Sequence, residues 1–293
     1  MKFLLTAALI LISSLTGAAP PAHRLSETKV SEHFVYHYNN IDARYAGQLL
    51  TLSEGFLSFI KDNYFNPKFE YPITALVFSS KQDFQHYLKH DLHIKNPPNF
   101  GIYIKEYKLF ATFRGSGIGT FTHEIMHPLV EENLPSRPEW AVEGIPGFFE
   151  KFFGYWEGNK LQLQLGYQNP WRVHQLGDEI TNLDLKKIIT LKRRNYAKAS
   201  NSELRMVSVF IDRQGLFEKY LALVNANDKK GYRFFIEAAF EKPIEDIIPL
   251  WRAYLEDVSR NKASIYKIPG SAILGSKEEF ETLKAKLYLQ KPL

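Results

Sequence analysis

Thr122-His123-Glu124-Ile125-Met126-His127, followed by Pro138-Glu139-Trp140-Ala141-Val142-Glu143-Gly144, is the stretch on which the reading of this chain turns. The first segment is HExxH. On a helix, residues four apart lie on one face, so His123 and His127 present two imidazoles to one cation. Glu124 stands one residue round, within reach of a proton on water activated by that cation. Zinc catalysis of this kind needs three protein ligands and an open position. Pro138 suits the first turn of a new helix, on which Glu143 points back at the histidine pair as third ligand. Trp140 lies one turn earlier on the same face and packs under the site.

Upstream, the patterning alternates strands and helices. Phe34, Tyr36 and Tyr38 alternate with Val35 and His37, which predicts a strand. A helix is expected over 42–63, with Leu49, Leu50, Phe56, Leu57 and Ile60 on its apolar face. Ile73 to Phe78 reads as a second strand, and Ser79 or Ser80 caps a helix holding Phe84, Tyr87 and Leu88. Asn96-Pro97-Pro98-Asn99 breaks the chain. Gly101 to Phe113 reads as two strands, the second from Lys108, and a new helix starts near Ile118. Beyond about Trp156 the strand signals fade. Segments 183–191, 202–212, 216–224, 231–240 and 244–258 all read as helical. The expected fold class is α+β: a mixed sheet with helices, then a mainly helical part, with the boundary between Gly154 and Gly177.

HEIMH followed by EWAVEG resembles the glutamate-zincin metallopeptidases, in particular the peptidase MA-like domains. The resemblance runs from about Ser31 to Val258, and its specific motifs are HExxH and WxxEG. It implies a zincin-like upper subdomain over 19–160 and a helical lower subdomain over 161–260 that includes Trp251-Arg252-Ala253-Tyr254-Leu255. The segment 261–293 is left as a C-terminal tail with a short helix. The resemblance further implies one zinc ion per chain on His123, His127 and Glu143, with Glu124 as catalytic base and a peptide or protein as substrate. Members hold a ligand histidine through an acid at its second ring nitrogen; Glu131, Glu139 and Glu150 are the candidates. The oxyanion donor is assigned to Tyr196, in Asn195-Tyr196-Ala197-Lys198, with His174 and Tyr167 as alternatives. The strand Lys108–Phe113 is expected to border the cleft.

Two features depart from the family pattern. Pro128 follows the second ligand, and Pro146 with Gly147 follows Glu143. Both predict a kink or an end in a site helix, because proline removes a backbone donor and crowds the preceding turn. This keeps open a zinc-binding scaffold that recognises peptides or envelope proteins without cutting them. A zinc hydrolase of another amide, such as one in cell-wall material, also fits the motif.

Composition narrows the remainder. With no cysteine among 293 residues, disulfides, thiolate metal sites and cysteine nucleophiles are excluded. Net charge is +5 with no arginine-rich arm or stacking motif, so nucleic acid is not an expected partner. Lys2, the apolar run Phe3 to Ile12 and the small residues to Ala18 read as a signal peptide over 1–18. Its removal takes one positive charge and leaves no stable membrane span. Export to a bacterial periplasm, or secretion, is expected. His86, His90 and His93 fall at helical intervals without a carboxylate on their face. Lys186, Lys187, Lys192, Arg193 and Arg194 form a basic run whose apolar partners are Leu185, Ile188, Ile189 and Leu191.

Overall fold

The strands at the centre of the fold are the most apolar in the chain, and that sets the layering. In a computed structural model, which describes residues 25–135, 137–191, 200–226 and 232–287, five strands form one mixed sheet. They are β1 (Glu27–Val30), β2 (Phe34–Tyr38), β3 (Ile73–Phe78), β4 (Gly101–Ile104) and β5 (Leu109–Phe113), in the order β1-β2-β3-β5-β4. The central pairs β2/β3 and β3/β5 are parallel, while β1 and β4 are antiparallel edges. Successive side chains of β3 point to opposite faces. Ala75 and Val77 join the core beneath α1 (Ala43–Asn63), while Leu76 and Phe78 join a second cluster beneath α2 (Lys81–His86). Burial on both faces explains why β3 and β5 read as continuous apolar runs.

The helices begin where local chemistry allows. The Asp42 carboxylate accepts from the Arg44 amide at the start of α1. Ser80 does the same for Asp83 in α2, which continues as a π turn over Tyr87–Asp91. The motif helix α3 (Ile118–Asn133) runs unbroken through Pro128, and α4 (Ala141–Phe149) runs through Pro146. Neither helix ends at its proline. Each proline costs one backbone bond, but every residue from Phe121 to Val130 is buried, so tertiary packing holds α3 in place.

A second sheet was not foreseen. β6 (Phe153–Glu157) and β7 (Lys160–Gln164) form an antiparallel hairpin, and β8 (Ala272–Leu274) pairs parallel with β6. The hairpin signal is Gly158-Asn159 between two short runs, with Gly158 at φ +59°. The segment from 261 on thus contributes a strand and two short helices where one short helix was expected.

The remaining elements are helical. They are α5 (Pro170–Leu176), a 3₁₀ segment (Gly177–Asn182), α6 (Leu185–Ile189), α7 (Asn201–Arg213), α8 (Phe217–Asn225), α9 (Tyr232–Phe240), α10 (Ile244–Arg260), α11 (Lys262–Ile265) and α12 (Lys277–Lys286). Leu185, Ile188 and Ile189 are buried as expected of α6. Among the described residues no helix is long and apolar enough to cross a membrane. The stretch 1–18 read as a leader lies outside the described residues. One hydrophobic cluster extends from Phe34 through Val258 to Phe280 and so runs across the expected boundary.

Helix α7 crosses α4 closely, and Gly144 is the reason it can. A Cβ at this position would lie 2.8 Å from the Leu204 carbonyl oxygen and 2.7 Å from the Trp140 ring. Gly144→Ala is therefore expected to lower stability by about 1–3 kcal/mol, the usual cost of overpacking. Urea unfolding checks this; an unchanged midpoint would mean that α4 and α7 have room to part.

Candidate metal centre

Two helices and one strand build the site. α3 projects His123 and His127 into the cleft with ring centroids 5.0 Å apart. α4 brings Glu143, whose Oε2 lies 3.4 Å from His123 Nε2 and 3.9 Å from His127 Nε2. Ligand atoms about 2.1 Å from a tetrahedral ion are about 3.4 Å from one another, so this spacing suits one small cation. Buried His123, His127 and Glu143 sit close enough to hold a metal ion, with one donor atom of each within 4.8 Å of the others. Among the described residues this is the only such group. Two imidazoles and one carboxylate form a donor set that zinc and its neighbours in the first transition row accept.

Glu124 lies beside the triad, 4.0 Å from His127 Nε2 through its Oε2, and is 5% exposed. That Oε2 has no hydrogen-bond partner among the described residues. Its other oxygen lies beneath β4: a Cβ added at Gly101 would stand 2.6 Å from Oε1. A side chain at 101 would force the Glu124 carboxylate to shift. Burial pushes the Glu124 carboxyl up to about 8, although the His123 charge pulls the other way.

Of the three acids proposed to hold a ligand histidine, the fold brings Glu150 to the place. Its Oε2 is 3.4 Å from His123 Nδ1. Arg172 grips Glu150 with two bonds, Nε to Oε1 at 2.9 Å and Nη2 to Oε2 at 2.8 Å. Asn169 Nδ2 donates to Oε1 at 2.9 Å, and the fully buried Arg205 places Nε 3.3 Å from the same oxygen. Burial opposes ionisation of Glu150, but Arg172 outweighs it and holds the carboxyl well below its usual range. Glu131 pairs instead with Lys105 at 2.6 Å, and Glu139 lines the far half of the cleft.

The metal-free charges follow from these contacts. Burial alone would lower His123, yet the carboxylates of Glu143 and Glu150, each 3.4 Å from a ring nitrogen, raise it to about 10. Burial brings His127 down to about 4. Burial opposes the charge on Glu143 as well, but His127 and His123 hold it down to about 2.

Several neighbours were not legible beforehand. Asn201, at the start of α7, donates Nδ2 to Glu143 Oε2 at 2.8 Å. Tyr103 of β4 stacks parallel on His127, with centroids 5.9 Å apart. Arg172 and Asn201 sit on helices distant in sequence from HExxH, Asn169 caps one of them, and no local motif marks them.

Other expectations fare differently. Tyr196, assigned as oxyanion donor, lies in the segment 192–199, outside the described residues, with Lys192, Arg193 and Arg194. His174 faces Tyr266 with ring centroids 6.0 Å apart, and Tyr167 is buried with its hydroxyl on Gln164; neither lines the cleft. The strand at the cleft is β4, not the one beginning at Lys108. β5 is enclosed between β3 and β4 with all its residues buried, so β4 is the edge. The His86 and His90 rings lie 4.3 Å apart, tilted by 36°, and join no three-ligand group among the described residues.

Among known proteins, no family model matches the chain, and no curated protein matches it either.

Proposed function

We propose that this chain is an exported zinc metallopeptidase of the glutamate-zincin type, acting in a bacterial periplasm or outside the cell on peptide or protein substrates. The observation that carries the reading is the convergence of His123, His127 and Glu143 beside a buried Glu124 oxygen that has no hydrogen-bond partner among the described residues. The donor set fits one zinc ion, which when bound supplies Lewis acidity and lowers the pKa of water toward about 7. Glu124 takes the proton of the attacking water and hands it to the leaving amine. Glu150 Oε2 stands 3.4 Å from His123 Nδ1, placed to pair with the ring, and Asn201 holds Glu143 by a hydrogen bond. β4, as the open edge of the sheet, offers its backbone to an extended peptide.

The helices continue past Pro128 and Pro146, which supports the enzyme reading over a scaffold without activity. Purified protein is expected to carry about one zinc per chain, as a three-ligand site requires, and Glu143→Ala to lose it. Elemental analysis showing no zinc after supplementation would sink the proposal. Incubation with denatured casein and with a cell-wall preparation, each with and without chelator, identifies the substrate: chelator-sensitive release from casein supports a peptidase, and release from the wall alone replaces it with an amidase of that material.

A further inference from the structure

Strand β4 turns Gly101 and Tyr103 to one face and Ile102 and Ile104 to the other, as alternation along a strand requires. Tyr103 packs with the main core, while Ile102 and Ile104 pack with the second cluster. The inward pair meets two groups of the motif helix in turn. Gly101 stands over Glu124 Oε1. The half-buried Tyr103 ring lies parallel to the His127 imidazole, 5° apart in plane, with centroids 5.9 Å apart.

The two ligand histidines are not held alike. His123 Nδ1 faces Glu150 Oε2 at 3.4 Å. His127 Nδ1 is buried and has no hydrogen-bond partner among the described residues. Glu124 and Glu143 stand at its other nitrogen, Nε2, at 4.0 and 3.9 Å. Glu131, one turn further along α3, is drawn away: Lys105 Nζ holds its Oε2 at 2.6 Å, and Arg137 Nη2 lies 3.7 Å from the same oxygen. What His127 has instead is a ring on each of two sides. The His123 imidazole meets it edge to face at 5.0 Å, and Tyr103 offers a flat face. Offset parallel rings at such separations attract one another, and the contact restricts rotation of the imidazole.

We propose that Tyr103 is the positioning residue of His127, and that its aromatic face, not its hydroxyl, holds the imidazole ready for the metal where His123 has a carboxylate. This role rests on the metal-centre reading and identifies what orients its second ligand. Strand β4 thereby keeps two groups in place, the base through Gly101 and the ligand through Tyr103.

Zinc affinity, measured on purified protein by competition with a chromophoric chelator, tests the role. Tyr103→Phe is expected to bind zinc within about twofold of the parent, and Tyr103→Ala and Tyr103→Leu about 10-fold more weakly, the lower end of the range for groups that orient a ligand. Leu keeps apolar bulk on that face of the strand, so the loss it shows belongs to the flat ring. Ile102→Ala loosens the same strand from its other face. It should lower the melting temperature of zinc-free protein and leave zinc affinity unchanged. Substitution with Co²⁺ adds a spectroscopic reading: the visible bands should shift in the Ala and Leu variants and stay in place in the Phe variant. Equal affinity in parent, Ala and Leu variants overturns the proposal. So does a Phe variant as weak as Ala, which puts the hydroxyl in the role. A loss in Ile102→Ala matching that in Tyr103→Ala assigns the effect to the strand and overturns it too. Unchanged affinity with a raised KM on casein makes Tyr103 a substrate contact instead. A parent protein that takes up no zinc removes the metal centre itself, an outcome distinct from any difference among the variants.

Discussion

Glu124→Gln is expected to lower kcat by about 10³-fold while zinc stays bound. Gln fills the same space under Gly101, so the clearance around Oε1 survives the change. What disappears is the basic oxygen. Oε2 is buried, has no partner among the described residues and faces the ligand pair at 4.0 Å from His127 Nε2. Its environment suits a proton shuttle. Burial raises the carboxyl to about 8 without metal, and a cation at the triad would favour the charged, basic form. Neither state is open to an amide. Elemental analysis alongside single-turnover hydrolysis reads the outcome. A variant that keeps its zinc and most of its rate would remove Glu124 from the role of base.

The second large effect concerns stability as much as chemistry. Glu150→Gln is expected to destabilise the protein by about 3–5 kcal/mol, because removing one partner leaves the others as uncompensated buried charge. Arg205 is 0% exposed and Arg172 keeps little access to water, so neither guanidinium can recover by hydration. Gln can still accept bonds from Asn169 and Arg172, but it carries no charge for them. For a chain of this size the loss corresponds to a fall in melting temperature on the order of 10 °C. Zinc affinity should also weaken by about 10- to 100-fold, since His123 loses the acid at Nδ1. Glu150→Asp, which keeps the charge, should recover much of the stability. Thermal melts of both variants with zinc titrations decide it; a Gln variant melting like the parent would mean that water reaches the arginine pair.

The contrast between what the sequence disclosed and what it hid has a physical basis. His123, Glu124 and His127 were legible because helical periodicity alone places them together. Glu143 was legible because it lies on the next helix after a short loop, although that helix begins at Ala141 and not at Pro138. α1, α7 and α10 were legible because each is long with a sustained apolar face. The prolines misled because local propensity was weighed without the burial that overrides it. β6 and β7 were missed because each is short and sits in a region dominated by helices, although Gly158-Asn159 carried the turn signal. β8 offered only three residues, and its pairing with β6 is fixed by distant packing. Glu150 could be named only as one of three acids, because choosing among them requires Arg172 and Arg205, which come from elsewhere in the chain.

The segment around Ser271 carries a consequence for how the molecule is made. Ser271 Oγ donates to the Glu150 carbonyl at 2.8 Å and receives the Phe152 amide at 3.2 Å, while β8 pairs alongside β6. These bonds join residues 121 and 119 positions apart in sequence. A ribosome therefore releases both histidines, the base and Glu143 well before it releases the strand that pins the backbone of Glu150. During that interval the nascent chain has ligands without their brace. Closure of so long a loop is a late event in synthesis and a slow one in refolding.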